Sequence, residues 1–299
     1  MSRLFSLLAL CPLALLHPLG LLMGWVAYGL SPPYRRRLAL HAAQAGLSRW
    51  QRWQSVGQVG KMVAEVPRLW GRPRKPLGQR VQWRRADQLD QAVAEGKGLL
   101  LLTPHLGCFE VTAQAYAERH GATQPITALY RPAKQAWLAE LMLHARQRPG
   151  MAASPATLTG VRQMLRALKS GHTVGLLPDQ VPPEGMGEWA PFFGQPAYTM
   201  TLAAKLVAQT GCAVVLLRGE RLGQWQRLRL GCEYLVHAQR VAPEAEALLR
   251  GGNAAQSAAT INRLMQDQIM QCPTQYLWGY NRYKGPRAEI LKSAQGPAA

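Results

Sequence analysis

The chain has 299 residues, 48% of them hydrophobic and only 17% charged, with 35 Lys and Arg against 16 Asp and Glu for a net charge of +19. That length and apolar content suffice for one large domain or two small ones with a full core. The five scattered cysteines contain no C-x-x-C pair, which excludes a zinc framework and points to a reduced compartment rather than a disulfide scaffold. The charge calls for an anionic partner: nucleic acid, anionic lipid, a phosphorylated substrate or an acidic carrier protein.

Between Leu4 and Tyr34 there is no Lys, Arg, Asp or Glu. The apolar run Leu4 to Leu30 is long enough to cross a hydrocarbon core, which takes ~20 residues. It outlasts a signal-peptide core and lacks a clear small-x-small cleavage site. His17-Pro18 interrupts it and is expected to kink the helix or split it into a re-entrant hairpin, so spanning and monotopic insertion both stay open. Arg35-Arg36-Arg37 follow and hold that end in the cytoplasm. The expected arrangement is a membrane anchor over 1–34, a catalytic domain over 35–292 on the cytoplasmic face of the inner membrane, and a tail over 293–299.

Residues 31–85 carry thirteen Lys and Arg and one acid, Glu65, together with Trp50, Trp53, Trp70 and Trp83. Indole and cations suit a lipid headgroup interface; stacking on single-stranded nucleic acid is the other reading. Residues 35–66 have helical composition, closed by Pro67, and 68–79 form a basic Pro/Gly connector. Val81–Arg85 reads as a strand and Asp87–Glu95 as a helix capped by Asp87. Leu99–Thr103 is a buried strand, 109–119 a helix, Ile126–Tyr130 a strand, and Ala133–Arg146 and Leu158–Lys169 helices. Thr173–Leu177 is a strand, Met200–Gln209 a helix, Ala213–Leu217 and Gln226–Val236 strands, and Ala254–Met270 a helix. Strands alternating with helices predict an α/β fold, a mixed β-sheet flanked by helices on both faces.

His105 follows the Leu99–Thr103 strand in the stretch TPHLGCFE, and Glu110 stands five residues on. Open α/β sheets place their sites at such strand ends. A neutral imidazole can deprotonate a hydroxyl if a carboxylate fixes its tautomer, and Glu110 is the expected orienter. Cys108 between them reads as a packing residue, a Cys–His nucleophile being the alternative. Arg131 ends the next strand, where it would meet phosphate or a developing oxyanion. Asp179 and Gln180 sit at a further strand end. Phe192 and Phe193 are candidates for the wall of an acyl slot, plain core packing being the commoner role of such a pair.

Taken in order, these motifs resemble the lipid A biosynthesis acyltransferases, the lauroyl/myristoyl late acyltransferases of the Gram-negative envelope. The matching pieces are His105-x4-Glu110, Tyr130-Arg131-Pro132, Gly160-Val161-Arg162, Leu177-Pro178-Asp179-Gln180, Pro191-Phe192-Phe193-Gly194 with Thr199, and Gln275-Tyr276-Leu277-Trp278 leading to Arg282-Tyr283-Lys284. They cover about residues 98–285. The chain departs from the pattern at Thr274, where an acid is common, and at Asn281, where an arginine is frequent.

The resemblance implies a glycerolipid-acyltransferase-like fold. It implies transfer of a fatty acyl chain from acyl carrier protein to a hydroxyl of a Kdo-modified lipid A precursor. His105 and Glu110 then inherit the catalytic role; Arg131, Asp179, Gln180, Phe192, Phe193, Arg282 and Lys284 fall to substrate binding. Backbone N–H groups at the helix start or Arg131 would hold the oxyanion. No metal, cofactor or acyl-enzyme is expected. The expected partners are acyl carrier protein, the anionic lipid A precursor and inner-membrane lipids, with no nucleic acid, the chain acting as a monomer. A lysophospholipid or ornithine lipid acceptor is the nearest alternative. From other classes stand a membrane-associated nucleic-acid-binding protein and a catalytically dead scaffold of the same fold.

Overall fold

The computed structural model describes residues 3–71, 75–130, 135, 137, 139–142 and 148–286. A seven-stranded mixed sheet forms the centre, in the order β1-β9-β8-β2-β5-β3-β4. Its strands are β1 (Val81–Arg84), β2 (Leu99–Leu102), β3 (Ile126–Tyr130), β4 (Met151–Pro155), β5 (Thr173–Leu176), β8 (Ala213–Arg221) and β9 (Tyr234–Arg240). All neighbours run parallel except β8 and β9, which pair antiparallel. A separate hairpin joins β6 (Gly187–Phe192) to β7 (Gln195–Met200).

Strand β2 shows why the sheet is covered on both faces. All four of its leucines are buried, and successive side chains on a strand point to opposite faces. Leu100 and Leu102 enter one core with Met164 and Leu168 of α8 (Leu158–Lys169), Leu206 of α9 (Leu202–Thr210), and Ile261 and Met265 of α12 (Ala254–Met270). Leu99 and Leu101 enter the other with Leu89 of α6 (Ala86–Ala94) and Tyr116 of α7 (Phe109–His120). Burying such a side chain contributes ~1.5–3 kcal/mol, so an unbroken leucine run fits only a strand sandwiched on both sides.

Most expected elements stand where the sequence placed them, and β3, α8 and α12 match residue for residue. Gln226–Val236 is corrected: it holds α10 (Gln224–Leu230) and the start of β9, separated by Gly231 in the left-handed region. Asp87 does not cap α6; it lies in the first turn, and Arg85 occupies the cap position with φ 57°. Pro67 does not end its helix, because α5 (Gln58–Trp70) runs on to bury Leu69 and Trp70. The strand β4, the β6–β7 hairpin and α11 (Pro243–Gly251) were not anticipated. The helix expected over Ala133–Arg146 falls largely outside the described residues.

The N-terminal run folds as α1 (Arg3–Leu10) and α2 (Leu13–Leu30). Pro18 does not split α2; the break falls earlier, at Cys11-Pro12. α3 (Pro32–Gln44) and α4 (Arg49–Ser55) follow, with Gly46 at φ +81° turning the chain between them. Helix α2 is long and apolar enough to cross a membrane, and 28% of it is buried. Leu15, Leu19, Leu22, Met23 and Val26 face outward. The inward face packs on α5 backbone to backbone: a Cβ on Gly60 would sit 1.9 Å from the Gly20 carbonyl oxygen, and one on Gly24 2.8 Å from that of Val56. Small residues four apart permit such close approach.

A buried ion network pins this contact. Glu65 of α5 is fully buried and accepts from His17 Nε2 of α2 at 2.6 Å. Its two oxygens also accept from Arg221 Nε at 2.7 Å and Nη2 at 2.9 Å. Removing one partner of such a pair costs ~3–5 kcal/mol, because the other charge is left buried alone.

Burial opposes ionisation of Glu65, but the Arg221 guanidinium and the His17 bond prevail and hold the carboxyl at about 2, against an ordinary 4.5. A carboxyl depressed in the folded state contributes stability in full above its unfolded value, and loses it as pH falls through the folded one. Glu65→Gln is therefore expected to lower the unfolding midpoint by a constant amount above pH ~5.5, with the gap closing toward pH 2. Parallel thermal or denaturant unfolding of the two proteins across that range measures it. A gap that widens on acidification would contradict an ionised pair.

Candidate active site

Strands β2, β5 and β3 lie side by side and parallel, so the loops at their C-terminal ends emerge together. β2 delivers His105, β5 delivers Asp179 and Gln180, and β3 ends at Tyr130. The turn after β2 is tied down on the backbone. Gly107 N–H donates to the Gln275 carbonyl at 3.1 Å, Cys108 N–H to that of Gly219 at 2.8 Å, and Leu277 N–H to that of His105 at 3.2 Å. Gly107 has φ +57°, and a Cβ there would meet the Gly219 oxygen at 2.1 Å, so the close approach requires glycine.

His105 is held twice by one carboxylate. Its ring Nδ1–H donates to Asp179 Oδ1 at 2.7 Å, and its backbone N–H donates to Asp179 Oδ2 at 2.9 Å. Asp179 is 2% exposed. Burial opposes its charge, but the imidazole, these hydrogen bonds and the nearby Arg282 hold its carboxyl below the usual range. An ionised Asp179 puts the proton on Nδ1, so Nε2 of the neutral ring carries the lone pair. The Gln180 amide Nε2 stands 3.1 Å from that atom. The arrangement is an imidazole with a fixed tautomer, its acceptor nitrogen held by Gln180 at the wall of a cavity.

The cavity has a volume of about 710 Å³. Its walls are mostly apolar: Met62, Val63, Val66 and Trp70 of α5 on one side, Leu129, Leu177 and Met200 on the other. His105, Glu110, Tyr130 and Gln180 supply its polar groups. A second, narrow pocket of about 50 Å³ shares Phe109, Glu110, Leu129 and Leu177 with it. It runs along the sheet under α7 to Ile126, Met151 and Gly175.

The expected pairing of His105 with Glu110 is corrected: the carboxylate on His105 is Asp179. Glu110 is the second residue of α7, on the cavity wall, while the residue at the end of the neighbouring parallel strand reaches the ring. Gln180 lines the cavity. Arg131 lies outside the described residues. Phe192 and Phe193 do not wall the cavity. Phe192 is buried in the core, and Phe193 and Gly194, both at positive φ, form the tight turn of the β6–β7 hairpin. Arg282 is buried and braces the core: it donates to the Tyr198 carbonyl and Thr199 Oγ1 at 2.8 Å each and lies over the Phe192 ring. Lys284 stands over Tyr280 and does not line the cavity. Cys108 is 3% exposed and burial pushes its thiol up, which disfavours a thiolate nucleophile.

Residues 51–285 match the family model described as bacterial lipid A biosynthesis acyltransferase. The chain is 25% identical over 234 residues to the lipid A biosynthesis palmitoleoyltransferase of Escherichia coli K12, covering 77% of this chain and 70% of that protein. It is 23% identical over 227 residues to the lipid A biosynthesis lauroyltransferase of the same organism, covering 76% and 69%. A lipid A biosynthesis acyltransferase of Haemophilus influenzae is 25% identical over 235 residues, covering 76% and 68%.

The geometry assigns the imidazole's orientation to Asp179, and a ring proton held at 2.7 Å gives a strongly downfield NMR signal. That His105 Nδ1–H signal is expected to survive Glu110→Gln and to vanish in Asp179→Asn. Its loss in the Glu110 variant alone would return the orienting role to Glu110.

Proposed function

The chain belongs to the bacterial lipid A biosynthesis acyltransferases, and on that premise we propose that it moves a fatty acyl chain from acyl carrier protein to a hydroxyl of a lipid A precursor, with His105 as general base. The observation that carries the reading is the His105–Asp179 pair beside a largely apolar cavity of about 710 Å³. An acyl chain needs such a cavity, since each buried methylene contributes ~0.8 kcal/mol.

The acceptor hydroxyl takes the place of the Gln180 amide at Nε2. His105 removes its proton as the oxygen attacks the thioester carbonyl, and Asp179 stabilises the imidazolium. The tetrahedral oxyanion forms near the start of α7, whose positive end faces the cavity through Phe109 and Glu110. The C–S bond then breaks and His105 returns the proton to the leaving thiol. Glu110 stands on the cavity wall, where its carboxylate meets the acceptor rather than the imidazole.

Two features support work at a lipid surface. The cavity's outer wall is α5, the helix on which the apolar α2 packs. At the far end of α2, Trp25 packs on Trp53, which stacks on the exposed Trp50, and Arg35 reaches the Tyr28 and Gly29 carbonyls at the end of the same helix. Aromatic rings flanked by cations suit the headgroup layer. The +19 charge favours both an acidic carrier and an anionic lipid. On this reading the protein sits at the cytoplasmic face of the inner membrane.

Mass spectrometry of lipid A from a deletion strain tests the function. One acyl chain is expected to be missing, restored by the wild-type gene but not by His105→Ala, whose rate falls at least ~100-fold. Intact lipid A with altered phospholipid or ornithine lipid would move the acceptor to that class. Cys108→Ala is expected to be nearly silent, and a trapped acyl-Cys108 would establish a covalent route instead.

Chain length is set in the narrow pocket rather than at Phe192 and Phe193. Ala128→Leu, which projects into it, is expected to favour donors shorter by a few carbons, and Met151→Ala longer ones. A methylene discriminates by ~1–3 kcal/mol, so the shift is graded. Competition between carrier-bound donors measures it, and unchanged product distributions in both variants would place the ruler elsewhere.

A further inference from the structure

Arg221, at the end of β8, is 4% exposed and makes more than an ion pair. Besides its two bonds to Glu65, its Nη2 donates to the Gly107 carbonyl at 3.1 Å, and its Nη1 to Gln58 Oε1 at 3.2 Å. Gly107 lies two residues after His105 in the turn that presents the base. The backbone of Arg221 is fixed as well. Gln275 accepts from its N–H at 3.0 Å and donates to its carbonyl at 2.9 Å, while the Gln275 carbonyl receives Gly107 N–H. A continuous set of buried polar contacts therefore runs from His17 on α2, through Glu65 on α5 and Arg221, to the turn that carries His105.

Stability alone does not account for this network. A well-packed apolar replacement of a buried ion pair is often neutral or stabilising. What the charges supply is direction: the planar guanidinium fork holds Glu65 with two donors and shares one of them with Gly107. Its setting depends on Glu65, and Glu65 in turn receives His17 only while α2 is seated on α5.

We propose that Arg221 is a positioning residue for His105, and that Glu65 and His17 make its setting depend on the docking of the apolar helix α2, so that the base is in order only when that helix is in place. The proposal rests on the reading of His105 as the base.

The test uses a probe that works whether or not acyl transfer is the activity. Cys108 lies in the same turn, buried against Glu65, and Cys212 is buried in the opposite core, away from the turn. Full-length protein in detergent micelles is alkylated with N-ethylmaleimide, and each cysteine is followed by peptide mass spectrometry. Arg221→Lys keeps a cation beside Glu65 but loses the fork. It is expected to speed Cys108 labelling at least ~10-fold with Cys212 unchanged, and to lower kcat at least ~10-fold with KM within ~2-fold, the split that loss of a correctly placed base gives. His17→Ala is expected to act in the same direction by ~3-fold, as loss of one of several bonds to Glu65. If Arg221→Lys exposes Cys212 as well, Glu65→Leu with Arg221→Met keeps the core filled and is read the same way. Wild-type protection of Cys108 in the folded Arg221 variant overturns the positioning role whatever the activity does. Wild-type protection and kcat in His17→Ala overturn the link to α2. Loss of Cys108 protection in a protein whose wild type fails to transfer acyl groups leaves this inference standing and removes the acyl-transfer reading.

Discussion

Asp179 is a charge buried at the end of β5, and a charge in that position must have its oxygens occupied by donors. Both oxygens are occupied by the same residue, the backbone and ring N–H groups of His105. Solving the desolvation of one carboxylate thus fixes the position, the ring angle and the tautomer of His105. The parallel register of β2 and β5 makes this possible, since Leu102 lies opposite Leu176 and the two strands end side by side. The four-leucine strand, the sandwich of helices and the glycine at 107 are all means of bringing those two loop ends together.

The N-terminal helices belong to the same argument. Helix α2 offers one face of leucines outward and one face of glycines to α5, so it docks on the body while leaving an apolar surface exposed. Helix α5 is shared: one side receives α2, another lines the cavity beside His105. The exposed apolar face of α2 and the cavity therefore lie on opposite sides of the α2–α5 contact.

Much of this was legible in the chain. The pattern points to an α/β body with an apolar N-terminus, because short apolar runs alternate with helical segments that can cover both faces of a sheet. The motif TPHLGCFE marks the histidine proposed as the base, because a histidine at the end of such a strand sits where open sheets place their sites. The chain also holds two signals for the buried network: Glu65, the only acid among thirteen basic residues over 31–85, and His17, the only histidine in an apolar stretch 4–34 that has no Lys, Arg, Asp or Glu. A lone acid and a lone histidine in such settings are buried with partners or are not tolerated.

The choice of partners was decided only by the tertiary structure. His105 has a carboxylate five residues away and another 74 residues away, and the distant one reaches its ring because β5 is the spatial neighbour of β2. Sequence spacing measures distance along the chain, whereas hydrogen bonds act through space, and strand order sets the exchange between the two. The same holds for Phe192, Phe193 and Arg282, whose motif reads as a binding element and folds as a hairpin braced against α12. Residue types told which chemistry the chain could perform; which side chain faces the cavity and which the core depended on a sheet order that no local pattern records.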